Sequence, residues 1–295
     1  MTSIKPKVLI TGSSGFLGRN LMKALSNLNF DVYETTRYQA RVSNRVIFLD
    51  LASNKEFAIQ GFDVVVHLAA IAHKKQLSDD DFSSINFKAT NKLASACANA
   101  NVKQFIFLSS IGVNGTSNNS PFNESDVAAP INEYARSKLN AENAIASICK
   151  NSDMRYVVIR PPLIYGHNAP GNIDALVKAM HWRIPFPFKS ITNKRNFCHI
   201  ENVTSFISLC ILNWNKNIIA NETFLICDDL IMTTSDFVNE ISRLHGYRAL
   251  LFRFPVTLLY YFLPFISKDL VDSLLLDLQV SNDKAKKIIG WKPLH

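Results

Sequence analysis

Cysteine is scarce in this chain and unpaired in its spacing. The five are Cys97, Cys149, Cys198, Cys210 and Cys227, and no two form a C-x-x-C pair. An odd count without paired spacing argues against a disulfide framework and against a zinc set, so no metal is expected and the thiols read as reduced, in a cytoplasmic protein. Long apolar runs are lacking too. The most apolar stretch, Ala249 to Ile266, is interrupted by Arg253, Pro255 and Pro264, whereas a bilayer span needs about 20 mostly apolar residues. It reads as a buried helical pair or a lid, and membrane contact is not expected. Met1 to Lys7 runs straight into a strand, so no signal peptide is expected. There is no internal repeat and no low-complexity linker. The net charge is +8, yet Lys and Arg are scattered rather than clustered with aromatics, which excludes a nucleic-acid face.

What is present is an ordinary soluble composition, 47% apolar and 19% charged over 295 residues, with room for a sizeable core. Apolar runs at Lys7–Thr11, Asp31–Thr36, Val46–Leu49, Asp63–Leu68, Gln104–Ser109 and Arg155–Arg160 read as strands. Helical periodicity marks Phe16–Leu28, Phe82–Ala100 and Glu133–Cys149. This alternation predicts an α/β fold, a doubly wound parallel sheet covered on both faces. After Gly166 the rhythm changes. Helices are expected at Asn172–Trp182, at Thr234–His245 (capped by Thr233 or Thr234) and at Ser281–Ile289. Ile184 to Phe188 is an extended apolar strip, and short strands at Asn196–His199 and Thr223–Ile226 are expected to return to the main sheet. The expected division is a nucleotide domain over 1–166 with returning strands near 196–227. A smaller interleaved substrate-binding part takes 167–195 and 228–295.

Between the first strand and the first helix stands Gly12-Ser13-Ser14-Gly15-Phe16-Leu17-Gly18. Gly12 suits a tight turn, Gly15 a close approach of backbone to a pyrophosphate, and Gly18 the packing of helix on strand. The helix N-terminus adds free N–H groups and partial positive charge. Gly12, Ser14, Gly15, Phe16, Leu17, Gly18 and Arg19 are therefore candidate dinucleotide contacts. The basic balance of the chain would help draw in an anionic nucleotide substrate. At the end of the second strand, an acid would select NAD and an arginine NADP. This chain has Thr36-Arg37 there and Arg19 beside the loop, which favours NADP (NADPH) over NAD. Asp50 and Leu51 close the third strand and suit the adenine. Leu68, Ala69 and Ala70 end the fourth, where small residues let backbone lie against the cofactor. His67 reads as a packed strand histidine rather than a catalyst.

Tyr134 and Lys138 stand four residues apart in Tyr134-Ala135-Arg136-Ser137-Lys138, on one helical face. Ser110, 24 residues earlier, sits at the carboxyl end of the fifth strand, where parallel sheets bind ligands. A free phenol has a pKa near 10. Lys138 and an oxidised nicotinamide are expected to lower it, so that Tyr134 exchanges a proton with a hydroxyl oxygen while hydride moves at the attached carbon. Ser110 would hold that oxygen.

Gly12–Gly18, His67–Ala70, Asn86, Ser109-Ser110, Tyr134–Lys138 and Arg160-Pro161-Pro162 together resemble the extended short-chain dehydrogenase/reductase superfamily, in its nucleotide-sugar epimerase/reductase branch. The likeness runs over nearly the whole chain in order, and implies a Rossmann domain and a UDP-linked nucleotide-sugar substrate. Ser109 to Gly115 and Arg160 to Gly166 resemble bacterial O-antigen reductases of UDP-4-keto-6-deoxy-N-acetylhexosamine, enzymes of lipopolysaccharide biosynthesis. The resemblance further implies that Asn86 orders the site, that Pro161, Pro162 and Leu163 lie by the nicotinamide, and that Asn172 and Arg195 hold the substrate diphosphate. Where the family often has aspartate after that arginine, this chain has Asn196. The resemblance also implies a homodimer, through Phe82–Ala100 and Glu133–Cys149 packed as a four-helix bundle.

Two absences narrow the activity. The related 4,6-dehydratases carry Thr-Asp-Glu at the serine position, and here Ile111-Gly112 follow Ser110. Hexose 4-epimerases usually hold NAD through an acid where this chain has Thr36-Arg37. The favoured expectation is NAD(P)H-dependent reduction of the C4 keto group of a UDP-4-keto-6-deoxy-N-acetylhexosamine. A UDP-glucose or UDP-N-acetylglucosamine 4-epimerase is the alternative, and a non-catalytic nucleotide sensor on the same fold a third.

Overall fold

The computed structural model describes residues 5–28, 30–53, 57, 59–71, 82–262 and 268–294. The stretch ending at Ile266 is thus described only as far as 262. Seven strands form one parallel sheet: β1 (Lys7–Thr11), β2 (Asp31–Thr36), β3 (Val46–Phe48), β4 (Val64–His67), β5 (Gln104–Leu108), β6 (Arg155–Arg160) and β10 (Glu222–Leu225). Their order is β10-β6-β5-β4-β1-β2-β3, doubly wound, with the chain reversing direction between β1 and β4. Strands β1, β4 and β5 are buried along almost their whole length, as parallel strands covered by helices must be.

Two apolar layers flank the sheet. On one face Leu17, Leu21 and Leu25 of α1 (Phe16–Asn27) pack with Val203, Phe206, Ile207 and Cys210 of α5 (Ile200–Leu212). On the other, Leu93 and Cys97 of α2 (Ala89–Asn99) meet Ala141, Ile145 and Cys149 of α3 (Glu133–Lys150). The helix expected from Phe82 begins with π-type turns over Ser83–Lys88 before running into α2. Such turns recur at functional sites, and Asn86 lies within this one. All five cysteines are free and buried.

The smaller part is built on α4 (Asn172–His181) and α6 (Thr234–His245). The cap of α6 is Thr233, whose hydroxyl accepts from the Asp236 N–H while the Asp236 carboxylate receives the Thr233 N–H, a reciprocal box. One expectation fails here. Arg195–Asn196 (β8) and Cys198–His199 (β9) do not return to the main sheet; β8 pairs antiparallel with β11 (Ile231–Met232), and β9 pairs with β7 (Ile164–Tyr165). The reason is aromatic packing that period-2 patterning does not encode: Phe197 stacks on Phe237 at 3.7 Å, and Tyr165 abuts both rings. Only Glu222–Leu225 joins the large sheet, beside β6. The extended strip expected at Ile184–Phe188 runs only to Phe186, which bridges Leu251; Pro187 and Phe188 already belong to a turn.

Candidate active site

The carboxyl ends of β1, β4, β5 and β6 meet along one edge, and the glycine loop, Leu68 to Ala70, Ser110 and Pro161 follow directly on those ends. Gly12 has φ +75°, a left-handed conformation open to glycine. A methyl on it would meet the Ala69 backbone N at 2.7 Å, so the first loop and the residues after β4 touch through bare backbone. A methyl on Gly18 would lie 2.2 Å from the Gly12 carbonyl oxygen. Helix α1 starts at Phe16 after Gly15, with no side-chain cap and no acid in its first turn. Its first N–H groups therefore face no competing carboxylate, and the glycine cradle fits a dinucleotide pyrophosphate.

His67 is confirmed as a packing residue. It is wedged between Thr11 (Nδ1 to Oγ1, 2.6 Å) and Thr90 (Nε2 to Oγ1, 2.8 Å), and burial drives its pKa down to about 3. Arg37 is exposed and lies over the Tyr38 ring at 5.3 Å, with Arg41 on the same ring at 5.2 Å. The Arg19 guanidinium donates to the Ser14 carbonyl oxygen. Asp50 receives the Ala52 N–H at 3.1 Å in the turn that carries Leu51.

Tyr134 lies in the first turn of α3, which Asn132 caps by accepting from the Ala135 N–H. Tyr134 is half-buried, with the Ser110 hydroxyl beside its phenol, and Phe82 meets the ring edge-on at 6.1 Å. Ser110 also accepts from the Gly112 N–H at 3.1 Å. Lys138 Nζ donates to the Leu108 carbonyl oxygen at 2.8 Å and sits 4.6 Å over the Phe107 ring. Its distance to the Tyr134 ring is 6.0 Å. The three residues thus converge as expected, but the acidified phenol does not follow. Burial pushes Tyr134 up to about 12, opposed only by the Ser110 hydrogen bond. Lys138 falls to about 8 for the same reason, with the nearby Glu142 charge pulling it back up. Desolvation outweighs the neighbouring cation, so in the protein alone the phenol is neutral and a proton donor.

Asn86 ties this helix to the end of β4. Its side chain exchanges both hydrogen bonds with the Ile71 backbone, at 2.9 and 3.0 Å, and reaches Ser137 Oγ at 3.3 Å. Ser137 in turn donates to the Tyr134 carbonyl oxygen at 2.7 Å. Pro161 accepts from the Ile111 N–H at 2.9 Å, which fixes β6 against the Ser110 loop, and Leu163 beyond it is exposed.

Arg195 and Asn172 are not joined by any hydrogen bond among the described residues. Asn172 is exposed at the start of α4. Arg195 is buried, donates to the Leu276 carbonyl oxygen at 2.6 Å, and is lowered to about 10 by burial, against the pull of Asp277. It stays charged at neutral pH. Asn196, which stands where the family often has aspartate, accepts from the Val280 N–H at 2.9 Å and donates to the Asp228 carbonyl oxygen at 3.2 Å. Sequence reasoning marks Ser109 and Arg160 only as motif residues and misses Glu142; with Asn114 they form a buried polar network behind Ser110. Glu142 falls one turn after Lys138, a spacing that could have flagged it.

The sequence profile of the NAD dependent epimerase/dehydratase family matches residues 8–227. A UDP-glucose 4-epimerase of Vibrio cholerae is 33% identical over 301 residues, covering 97% of this chain and 90% of the relative. An N-acetyl-alpha-D-glucosaminyl-diphospho-ditrans,octacis-undecaprenol 4-epimerase of Escherichia coli O157:H7 is 26% identical, covering 80% and 71%. Among solved structures, the UDP-glucuronic acid 4-epimerase from Bacillus cereus in complex with NAD superimposes with a TM-score of 0.77 at 20% identity, over 98% of this chain and 94% of that one. A glycine cradle, a Ser–Tyr–Lys cluster at the same sheet edge, and a profile match over most of the chain converge on one assignment: the chain belongs to the NAD dependent epimerase/dehydratase family, within the extended short-chain dehydrogenases/reductases.

Proposed function

We propose that the protein is a nucleotide-sugar 4-epimerase, exchanging hydride and proton at C4 of a UDP-linked hexose or N-acetylhexosamine. The observation that carries the reading is the Tyr134 phenol paired with Ser110, one turn from Lys138, at the sheet edge that also carries the glycine cradle. Near-full-length likeness to a UDP-glucose 4-epimerase supports the choice of reaction. A bound nicotinamide dinucleotide would supply the group that takes up and returns hydride. The chain's own residues do the rest. Ser110 holds the 4-oxygen; Tyr134 gives that oxygen its proton as a carbonyl is reduced and takes one when an alcohol is oxidised. Lys138 is an ammonium at neutral pH that favours the phenolate left behind, and Asn86 fixes the start of α3. Arg195 and Asn172 would take the diphosphate. Gly12, Ser14, Gly15, Phe16, Leu17 and Gly18 would hold the pyrophosphate, Asp50 and Leu51 the adenine, and Leu68, Ala69, Ala70, Pro161 and Leu163 the faces of the cofactor.

A second reading, reduction of a UDP-4-keto-6-deoxy-N-acetylhexosamine by NADPH in surface-polysaccharide synthesis, is favoured by Arg37 and Arg41 flanking Tyr38 where an NAD-selecting acid would stand. A reductase releases its cofactor each turnover, while an epimerase keeps it. Purified protein mixed with UDP-glucose or UDP-N-acetylglucosamine separates the two. Formation of the galacto epimer without net cofactor use supports the epimerase. No epimer, together with NADPH oxidation on the 4-keto sugar, replaces it with the reductase. We further assign the substrate part to 167–195 and 228–295, and a homodimer to α2 and α3; a monomer in sedimentation equilibrium at micromolar concentration would refute the latter.

A further inference from the structure

Glu142 lies one turn beyond Lys138 on α3, and its side chain is only 7% exposed. It is tied to each segment that carries the site. The Ser109 hydroxyl, next to Ser110 at the end of β5, donates to Oε1. Arg160 at the end of β6 donates Nε to Oε1 at 3.0 Å and Nη2 to Oε2 at 2.5 Å. The third arm of that guanidinium reaches Asn114 Oδ1 at 2.9 Å, in the turn that Ser110 opens. One carboxylate therefore links the tyrosine helix, the serine strand and the strand that leads into Pro161.

The surroundings of Lys138 give this carboxylate a second effect. Phe107 and the Leu108 carbonyl face the ammonium from β5, and the neutral His67 faces it from β4. Tyr134 and Glu142 face it from its own helix, and Arg160 stands behind Glu142 from β6. Among these described groups only Glu142 brings negative charge. Breaking a buried ion pair by removing one partner is strongly destabilising, whereas replacing the whole pair by apolar groups is often neutral. An ionic pair here is better explained by orientation and charge than by stability.

We propose that Glu142 is a positioning residue: through Ser109 and Arg160 it sets Ser110 against Tyr134, and its charge keeps the buried Lys138 an ammonium at working pH. The inference rests on the reading of Ser110, Tyr134 and Lys138 as the proton-handling group, and its test separates the two. The Lys138 ammonium can be titrated by NMR in full-length, 15N-lysine-labelled protein, independent of any substrate. In Glu142→Gln the midpoint falls by about one pH unit, a tenfold loss of proton affinity. Glu142→Gln leaves Arg160 unpaired and risks misfolding, so Glu142→Gln/Arg160→Met is the companion, read against Arg160→Met alone because that change also removes a cation. The double variant's midpoint falls below that of Arg160→Met, and the alkaline limb of turnover follows it. Ser109→Ala lowers kcat at least severalfold, with KM and the Lys138 midpoint unmoved. A folded double variant with the same midpoint as Arg160→Met overturns the electrostatic role, and wild-type kcat in Ser109→Ala overturns the positioning role. A shifted midpoint in a protein with no turnover on any nucleotide sugar supports the hold on Lys138 and sinks the catalytic reading instead.

Discussion

Replacing Gly18 by alanine tests the glycine cradle more sharply than any charge change. The added methyl would stand 2.2 Å from the Gly12 carbonyl oxygen and 2.6 Å from both Ser13 Cα and the Ser13 carbonyl oxygen. Every one of these is backbone, so no rotamer relieves the clash. Ordinary contact begins near 3.4 Å, so α1 or the loop must retreat by about 1 Å. The helix is pinned by Leu17, Leu21 and Leu25, all buried, and the loop by Gly12 against Ala69. Overpacking of this kind costs about 1–3 kcal/mol, which lowers Tm by several degrees in a domain of this size. Whichever side moves, the N–H groups at the helix start lose their aim. Dinucleotide affinity should weaken at least tenfold, about 1.4 kcal/mol, for NADH and NADPH alike. The control is Gly112→Ala, whose methyl meets only Ser110 Oγ at 3.4 Å and Ala135 Cβ at 3.5 Å; it should leave affinity unchanged. Fluorescence titration of the reduced dinucleotides together with a thermal melt reads both. Wild-type affinity and Tm in Gly18→Ala would refute the steric reasoning.

Three further outcomes are expected. Tyr134→Phe should cut turnover by about 10²–10⁴ while dinucleotide affinity stays within a factor of about two; near-wild-type kcat would remove the proposed proton donor. His67 titrates near 6.5 when unfolded and at about 3 in the buried native site. Its native pKa is depressed, so the unfolded state binds the extra proton: the stability it contributes is full above 6.5 and lost toward pH 3, at up to about 1.4 kcal/mol per pH unit. Urea melts from pH 7 to 4 should show that slope, and His67→Gln should flatten it; an identical slope in the variant would place the acid lability elsewhere. Arg37→Asp should shift the ratio of NADPH to NADH affinity toward NADH by about tenfold, and an unchanged ratio would end the case for arginine-selected NADP.

Much of the site was legible because its signals are local. The run from Gly12 to Gly18 needs only a strand before it and a helix after it, and both form where the apolar pattern puts them. Tyr134 and Lys138 share a helical face by spacing alone. Capping and alternation likewise placed α6 and the strands of the large sheet close to their observed bounds.

What depended on depth or on distant partners was not legible. Asn196–His199 has strand-like residues, but whether it joined the large sheet was decided by Phe197 stacking on Phe237, 40 residues away. The phenol expected to be acidic is instead held neutral, because solvation of a charge depends on what surrounds it in space, and burial here outweighs the cation one turn away. The Ser109–Glu142–Arg160–Asn114 network joins positions up to 46 residues apart, which no single segment announces. The amino-acid order by itself determined the hydrogen-bonded elements and the chemistry they carry, since these follow from periodicity and residue type. Tertiary structure alone decided protonation and pairing, since the energy of a buried charge is set by neighbours that only folding brings together.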